Sequence, residues 1–197
     1  MSKKKMMLLT ALSEASRRSD ITDLCEKNPE LLGLFDEFGY NGLMLAQSHG
    51  VAKSEINAGV DINAKNACGM TAMHMHIRYC QVGLVPLLLK NGSDINCKDQ
   101  DGVTPLMYAF IHRNLSLAEY LILSGADLNV QDNFGHSALH YAVIHREIKF
   151  QRLFLKNGAD MNIENNHEAS PLSMTLNFGT KKMVKLFEEY SKKDANH

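Results

Sequence analysis

Nine histidines and four cysteines are the side chains of this chain best equipped for metal binding or nucleophilic catalysis. A zinc site needs three or four such ligands, each with its nitrogen or sulfur about 2 Å from the ion. Cys25, Cys68, Cys80 and Cys97 form no C-x-x-C pair and follow no regular zinc spacing. His74 and His76 are two positions apart, which on a helix points them to different sides. A cysteine nucleophile, Cys68 or Cys80, assisted by a histidine is the one enzymatic reading these side chains permit. It comes without a signature, because H-E-x-x-H, G-x-S-x-G, a Walker loop and G-x-G-x-x-G are all absent. The expectation is a chain with no catalytic residues, no metal and no cofactor.

Charge and hydropathy narrow the partners. A net charge of −1 and a pI of 6.7 supply no global basic face for nucleic acid. No apolar run approaches membrane-spanning length. Cysteines without a disulfide framework read as reduced thiols, which places the protein in the cytoplasm. Lys3-Lys4-Lys5 followed by Met6 to Leu12 offers an alternative, a minimal export signal. Leu8, Leu9, Leu12 and Ala15 instead repeat at helical spacing, and the apolar run is at the short limit for a signal. An amphipathic capping helix is the preferred reading.

The positioning elements are clearest between Asp99 and Asn129. Asp99-Gln100-Asp101-Gly102 is turn chemistry, a carboxylate able to bond its own backbone beside a glycine free to take positive φ. Thr104 caps a helix whose first residue is Pro105. Leu106, Ala109 and Phe110 give that helix its apolar stripe. Arg113-Asn114 ends it, and Leu117, Ala118, Leu121 and Ile122 mark a second helix that stops at Gly125. The unit recurs at equal steps through Gly59, Gly92, Gly125 and Gly158, in the sequences GVDIN, GSDIN, GADLN and GADMN. Helix openings GMTAMHMH, GVTPLMYA, GHSALHYA and EASPLSMT keep the same phase. A 33-residue period of one turn and two helices with T-P-L-H-x-A openings resembles the ankyrin-repeat family.

The resemblance implies an all-α solenoid of helix pairs joined by short β-hairpin-like turns, since one pair alone has no core. Its layout predicts a basic tail at 1–5 and a single domain at 6–191. Within the domain come an N-terminal capping pair at 6–35, repeats at about 36–65, 66–98, 99–131 and 132–164, and a C-terminal cap at 165–191. A polar tail, 192–197, follows. From Gly39 to Gly59 is 20 residues, against 23 from Gly69 to Gly92, so three are missing, and the second helix near 52–58 is expected to be short. Core positions are Leu106, Ala109, Leu121, Ile122, Leu139, Ala142, Leu153 and Leu155. His74 and His140 fall in the T-x-L-H slot, where the family's imidazole ties hairpin to helix.

Family members bind proteins through the hairpin tips and the exposed ends of the first helices, which line a concave groove. Carried over repeat by repeat, the helix-end slot holds His49, Tyr79, His112, His145 and Phe178, every one a ring. The neighbouring slot adds Arg78, Ile111 and Ile144, and the tips add Phe38, Tyr40, Met70, Asp101, Phe134, His136 and His167. Equivalent slots one helix layer apart are roughly 8–10 Å apart, too far for a shared zinc. The resemblance thus implies a non-enzymatic module, monomeric alone, that holds a protein partner. An inhibitor or immunity-type protein blocking a partner enzyme, or a small secreted effector, is the alternative. The bland alternative for the rings is padding between hairpin and helix.

Overall fold

The structure, a computed structural model, describes residues 39–194, with side chains described to residue 192. The expected basic tail, the capping pair at 6–35 and Phe38 lie outside the described residues. Among the described residues every regular element is helical, and the chain divides into two compact units between Gln100 and Asp101.

The first unit contains α1 (Gly42–Leu45), α2 (His49–Asn57), α3 (Ala72–Arg78), a 3₁₀ turn (Val82–Leu84) and α4 (Val85–Lys90). The second contains three pairs: α5 (Pro105–Ile111) with α6 (Leu115–Leu123), α7 (Ala138–Ile144) with α8 (Ile148–Lys156), and α9 (Pro171–Phe178) with α10 (Lys181–Asp194). In the second unit the first helices stack in the order α5, α7, α9 and the second helices in the order α6, α8, α10. Helices this short are marginal alone, so burial between the pairs holds them. Leu106, Ala109, Leu121, Leu139, Ala142 and Leu155 are buried as expected. Ile122 and Leu153 are half-buried, and Ala118 and Phe154 fill the interior beside them.

Each first helix of the regular repeats begins at a cap in the same phase of the repeat: Thr71, Thr104, Ser137 and Ser170. At three of them the cap is reciprocal. Ser137 N–H donates to His140 Nδ1 at 3.0 Å, and Thr71 N–H to His74 Nδ1 at 3.2 Å. Histidine here does what glutamate does in a capping box, accepting from the cap's own N–H three residues upstream. Ser173 replaces histidine in the last repeat and still accepts from Ser170 N–H at 3.0 Å. His140 also donates through Nε2–H to Ala169 O at 3.0 Å, which fixes its tautomer and ties α7 to the following turn.

The D-x-N sequences close the other turn. Asp61, Asp94, Asp127 and Asp160 each accept a bond from the N–H two residues on, at 2.8–2.9 Å. The asparagine then reaches the following repeat: Asn63 Oδ1 accepts from Asp94 N–H at 2.8 Å, and Asn129 Oδ1 from Asp160 N–H at 2.9 Å. One motif therefore serves both turn and stacking.

The expected shortening of the second helix is corrected. α2 has nine residues, as do α6 and α8, whereas α1 has four against seven in α3, α5 and α7. The missing three residues come from the end of the first helix, where Ala46 turns extended and Ser48 caps α2. At the other end α10 runs to Asp194, past the expected boundary at 191. Ser191-Lys192-Lys193-Asp194 contains no glycine or proline to stop it.

Candidate protein-binding surface

Tyr79, His112 and His145 are the residues at which α3, α5 and α7 end, and Phe178 is the last residue of α9. The residue after each of the first three, Cys80, Arg113 and Arg146, takes positive φ (58°, 54° and 57°). That left-handed step turns the chain sharply toward the second helix and leaves the ring at the exposed corner. Tyr79 and Phe178 are 53% and 49% exposed, and Ile111 and Ile144, one position before the corner, are 50% and 42% exposed. Large apolar side chains placed outside at one repeated corner owe nothing to the core.

In the second unit these residues surround a small pocket. Phe110, Ile111, Arg113, His145 and Glu147 line a space of about 260 Å³, closed at one side by an Arg113–Glu147 ion pair at 3.2 Å. Small-molecule sites usually span about 300–1,000 Å³; this pocket suits one inserted side chain. His145 lies 5.7 Å from the buried Phe110 ring, and His112 stacks on Tyr108 at 6.3 Å. These contacts hold two imidazoles in place while leaving them exposed. Arg146 Nη2 donates to Phe178 O at 3.5 Å, joining the α7 and α9 ends.

The hairpin tips are more mixed. Phe134 is exposed and packs at 6.4 Å from His136, which is half-buried against His140 and Tyr141. Tyr141 O–H donates to Asp132 Oδ2, while Asp132 Oδ1 accepts from Phe134 N–H and His136 N–H at 2.9 and 2.8 Å. Asp101 and His167 are exposed, and Tyr40 is half-buried. Met70 is corrected: at 4% exposure it packs inside, with Arg78 Nη1 3.8 Å from its sulfur, and only the exposed Arg78 faces outward. His49 is also corrected. It is exposed, but it opens α2 instead of ending α1, because α1 stops three residues early. In the first unit the helix-end set is therefore Arg78 and Tyr79; in the second it is Ile111, His112, Ile144, His145 and Phe178. Exposed Leu176, on the same helix as Phe178, was missed, since no equivalent position upstream is exposed and apolar.

The two histidines that stand closest in sequence are structural. His76 is fully buried, its Nε2–H donating to Leu43 O at 2.9 Å and its Nδ1 3.1 Å from Gln81 Oε1. His74 is buried beside Cys97, whose thiol burial pushes up to about 11. A thiol held protonated is a poor nucleophile. Cys68 and Cys80 are exposed free thiols. Among the described residues no group of three His, Cys, Asp or Glu side chains could hold a metal ion, and no helix is long and apolar enough to cross a membrane.

A family model described as ankyrin repeats (3 copies) matches residues 43–132 and 112–197. The chain belongs to the ankyrin-repeat family. Comparison with curated proteins returns no match. Ankyrin repeats are in general protein–protein interaction modules, and the family is typically non-enzymatic. The helix pairs, the repeated caps and the D-x-N turns described above are this chain's version of that repeat.

Proposed function

We propose that this ankyrin-repeat chain acts by binding alone, holding a protein partner on its hairpin tips and first-helix ends. The observation that carries this reading is the repeated exposure of Tyr79, Ile111, Ile144 and Phe178 at helix ends, flanked by His112 and His145. Exposed aromatic and arginine side chains dominate binding energy at protein interfaces, and apolar neighbours exclude water around them. Padding between hairpin and helix would bury these side chains, and about half of each remains in water. The pocket beside Ile111 and His145 supplies a seat for one partner side chain. Exposed Cys68 and Cys80 with no disulfide support a reducing, cytoplasmic setting.

The test compares pull-down by the wild type with Tyr79→Ala, and with the double variant Ile111→Ala/Phe178→Ala. Circular dichroism controls for folding. A partner captured by the wild type and lost in both variants supports the reading; capture unchanged in both overturns it.

A further inference from the structure

A second surface lies on the other helices of the second unit. Ile148 and Arg152 of α8 and Lys182, Lys185, Leu186 and Glu189 of α10 line a groove of about 220 Å³. The two helices pack against each other through their apolar faces, with Phe150, Phe154, Met183 and Phe187 buried. Their outer faces carry the charge. Arg152, Lys182 and Lys185 are exposed, and none of them makes an ion pair among the described residues. Lys149 and Lys156 extend the same sign along α8. The preceding second helix, α6, carries no cation at all: its exposed residues are Ser116, Glu119, Tyr120 and Leu123. In a chain of net charge −1, this is a local concentration of positive charge, and such a patch focuses potential toward an oppositely charged partner.

We infer that the α8–α10 groove docks an acidic, amphipathic protein segment. Arg152, Lys182 and Lys185 meet its carboxylates, and one apolar side chain seats between Ile148 and the Leu186 floor. Charge complementarity selects the segment's sign, and the groove selects its shape. The volume is below the usual range for small ligands, about 300–1,000 Å³, and matches a single side chain. Nucleic acid is disfavoured by the lack of a ring among the lining residues for a base to stack on. A lipid surface is disfavoured because Leu186 is buried and no apolar wedge protrudes between the cations. This surface is separate from the helix-end set, so either reading can fail without the other.

Fluorescence anisotropy on the full chain tests it. The probe is a labelled synthetic helix with glutamates spaced at i, i+4 around a central leucine, in about 0.15 M salt. Arg152→Glu/Lys185→Glu is expected to weaken binding at least about tenfold, and replacing the probe's leucine by alanine should weaken it several-fold. Amide shift mapping on the wild type, which needs no variant to fold, should place the changes on α8 and α10. No binding, binding indifferent to the charge reversal or to the leucine, or shifts located elsewhere each overturn the inference. So does tighter binding of a DNA duplex or of phosphatidylserine vesicles than of the peptide.

Discussion

Glu168 sits at φ 56° in a turn position that glycine holds at 39, 69, 102 and 135. The difference is steric. A Cβ on Gly69, Gly102 or Gly135 would come within 2.6, 2.8 and 2.7 Å of the backbone nitrogen of Gln100, Asn133 and Asn166. Those nitrogens close the next turn onto the glycine's own, donating to Cys68 O, Asp101 O and Phe134 O at 3.0–3.1 Å. Among the described residues no backbone N–H closes onto His167 O, the equivalent carbonyl, so Glu168 bears only the left-handed cost, about 1–2 kcal/mol for an L-residue. Glu168→Gly removes that cost and adds about 0.5–1 kcal/mol of unfolded-chain entropy against folding. A net gain of about 0.5–1 kcal/mol is expected in urea unfolding. Gly135→Ala should lose about 2–3 kcal/mol, because strain and backbone collision add. An unchanged midpoint in either variant would contradict this account. The turn glycines were legible in the sequence from their spacing alone. Why one of them is dispensable was not, since that depends on which backbone lies against the turn.

Among the elements, the first helix of the first unit shows both the reach of the sequence and its limit. Counting residues revealed the three-residue deficit but assigned it to the second helix, because His49 keeps the same offset from its cap as Tyr79 does from Thr71. Tertiary context decides. Ending α1 at Leu45 frees the Leu43 carbonyl that a longer helix would have bonded internally, and His76 from α3 takes it. The equivalent positions one and two repeats on hold Ala109 and Ala142, buried in the regular repeats. His76 thus fills the space of a lost turn and satisfies its orphan acceptor. His76→Ala should cost about 2–4 kcal/mol, a lost buried bond plus a cavity; a cost like that of a surface substitution would refute the pairing. His140 adds a pH dependence to α7. Burial lowers its pKa from 6.5, and its bond to Ala169 O only partly offsets that. The unfolded chain then binds a proton at higher pH than the native one. Its contribution is complete above the unfolded pKa and is lost as pH falls through the native value. His140→Gln keeps an acceptor at the third helical position without titrating. Below about pH 6.5 the wild type should therefore lose stability relative to this variant; parallel pH profiles would exclude the linkage.

For the whole molecule, the even spacing of the turn glycines made the all-helical repeat architecture legible, because each repeat must bury its apolar face on the next. The surfaces were less legible. Slots carried over by register put rings at the helix ends, yet Met70 is turned inward and the cationic α8–α10 groove depends on two helices meeting. Stability should follow the same nearest-neighbour logic, since interface terms add along a stack. Phe154 and Phe187 occupy equivalent positions in successive repeats, and both are fully buried. α8 packs against α7, α6 and α10, whereas α10 packs against α9 and α8. Each Phe→Ala change removes about 3–5 kcal/mol of local packing, but the losses should propagate differently. In Phe154→Ala, faster amide exchange is expected from α6 through α10, because the middle pair supports both of its neighbours. In Phe187→Ala, faster exchange should be confined to α9 and α10, with α5 and α6 unchanged. Equal spreading from both sites would mean that the second unit unfolds as one cooperative block, and that its repeats do not contribute separable interface energies.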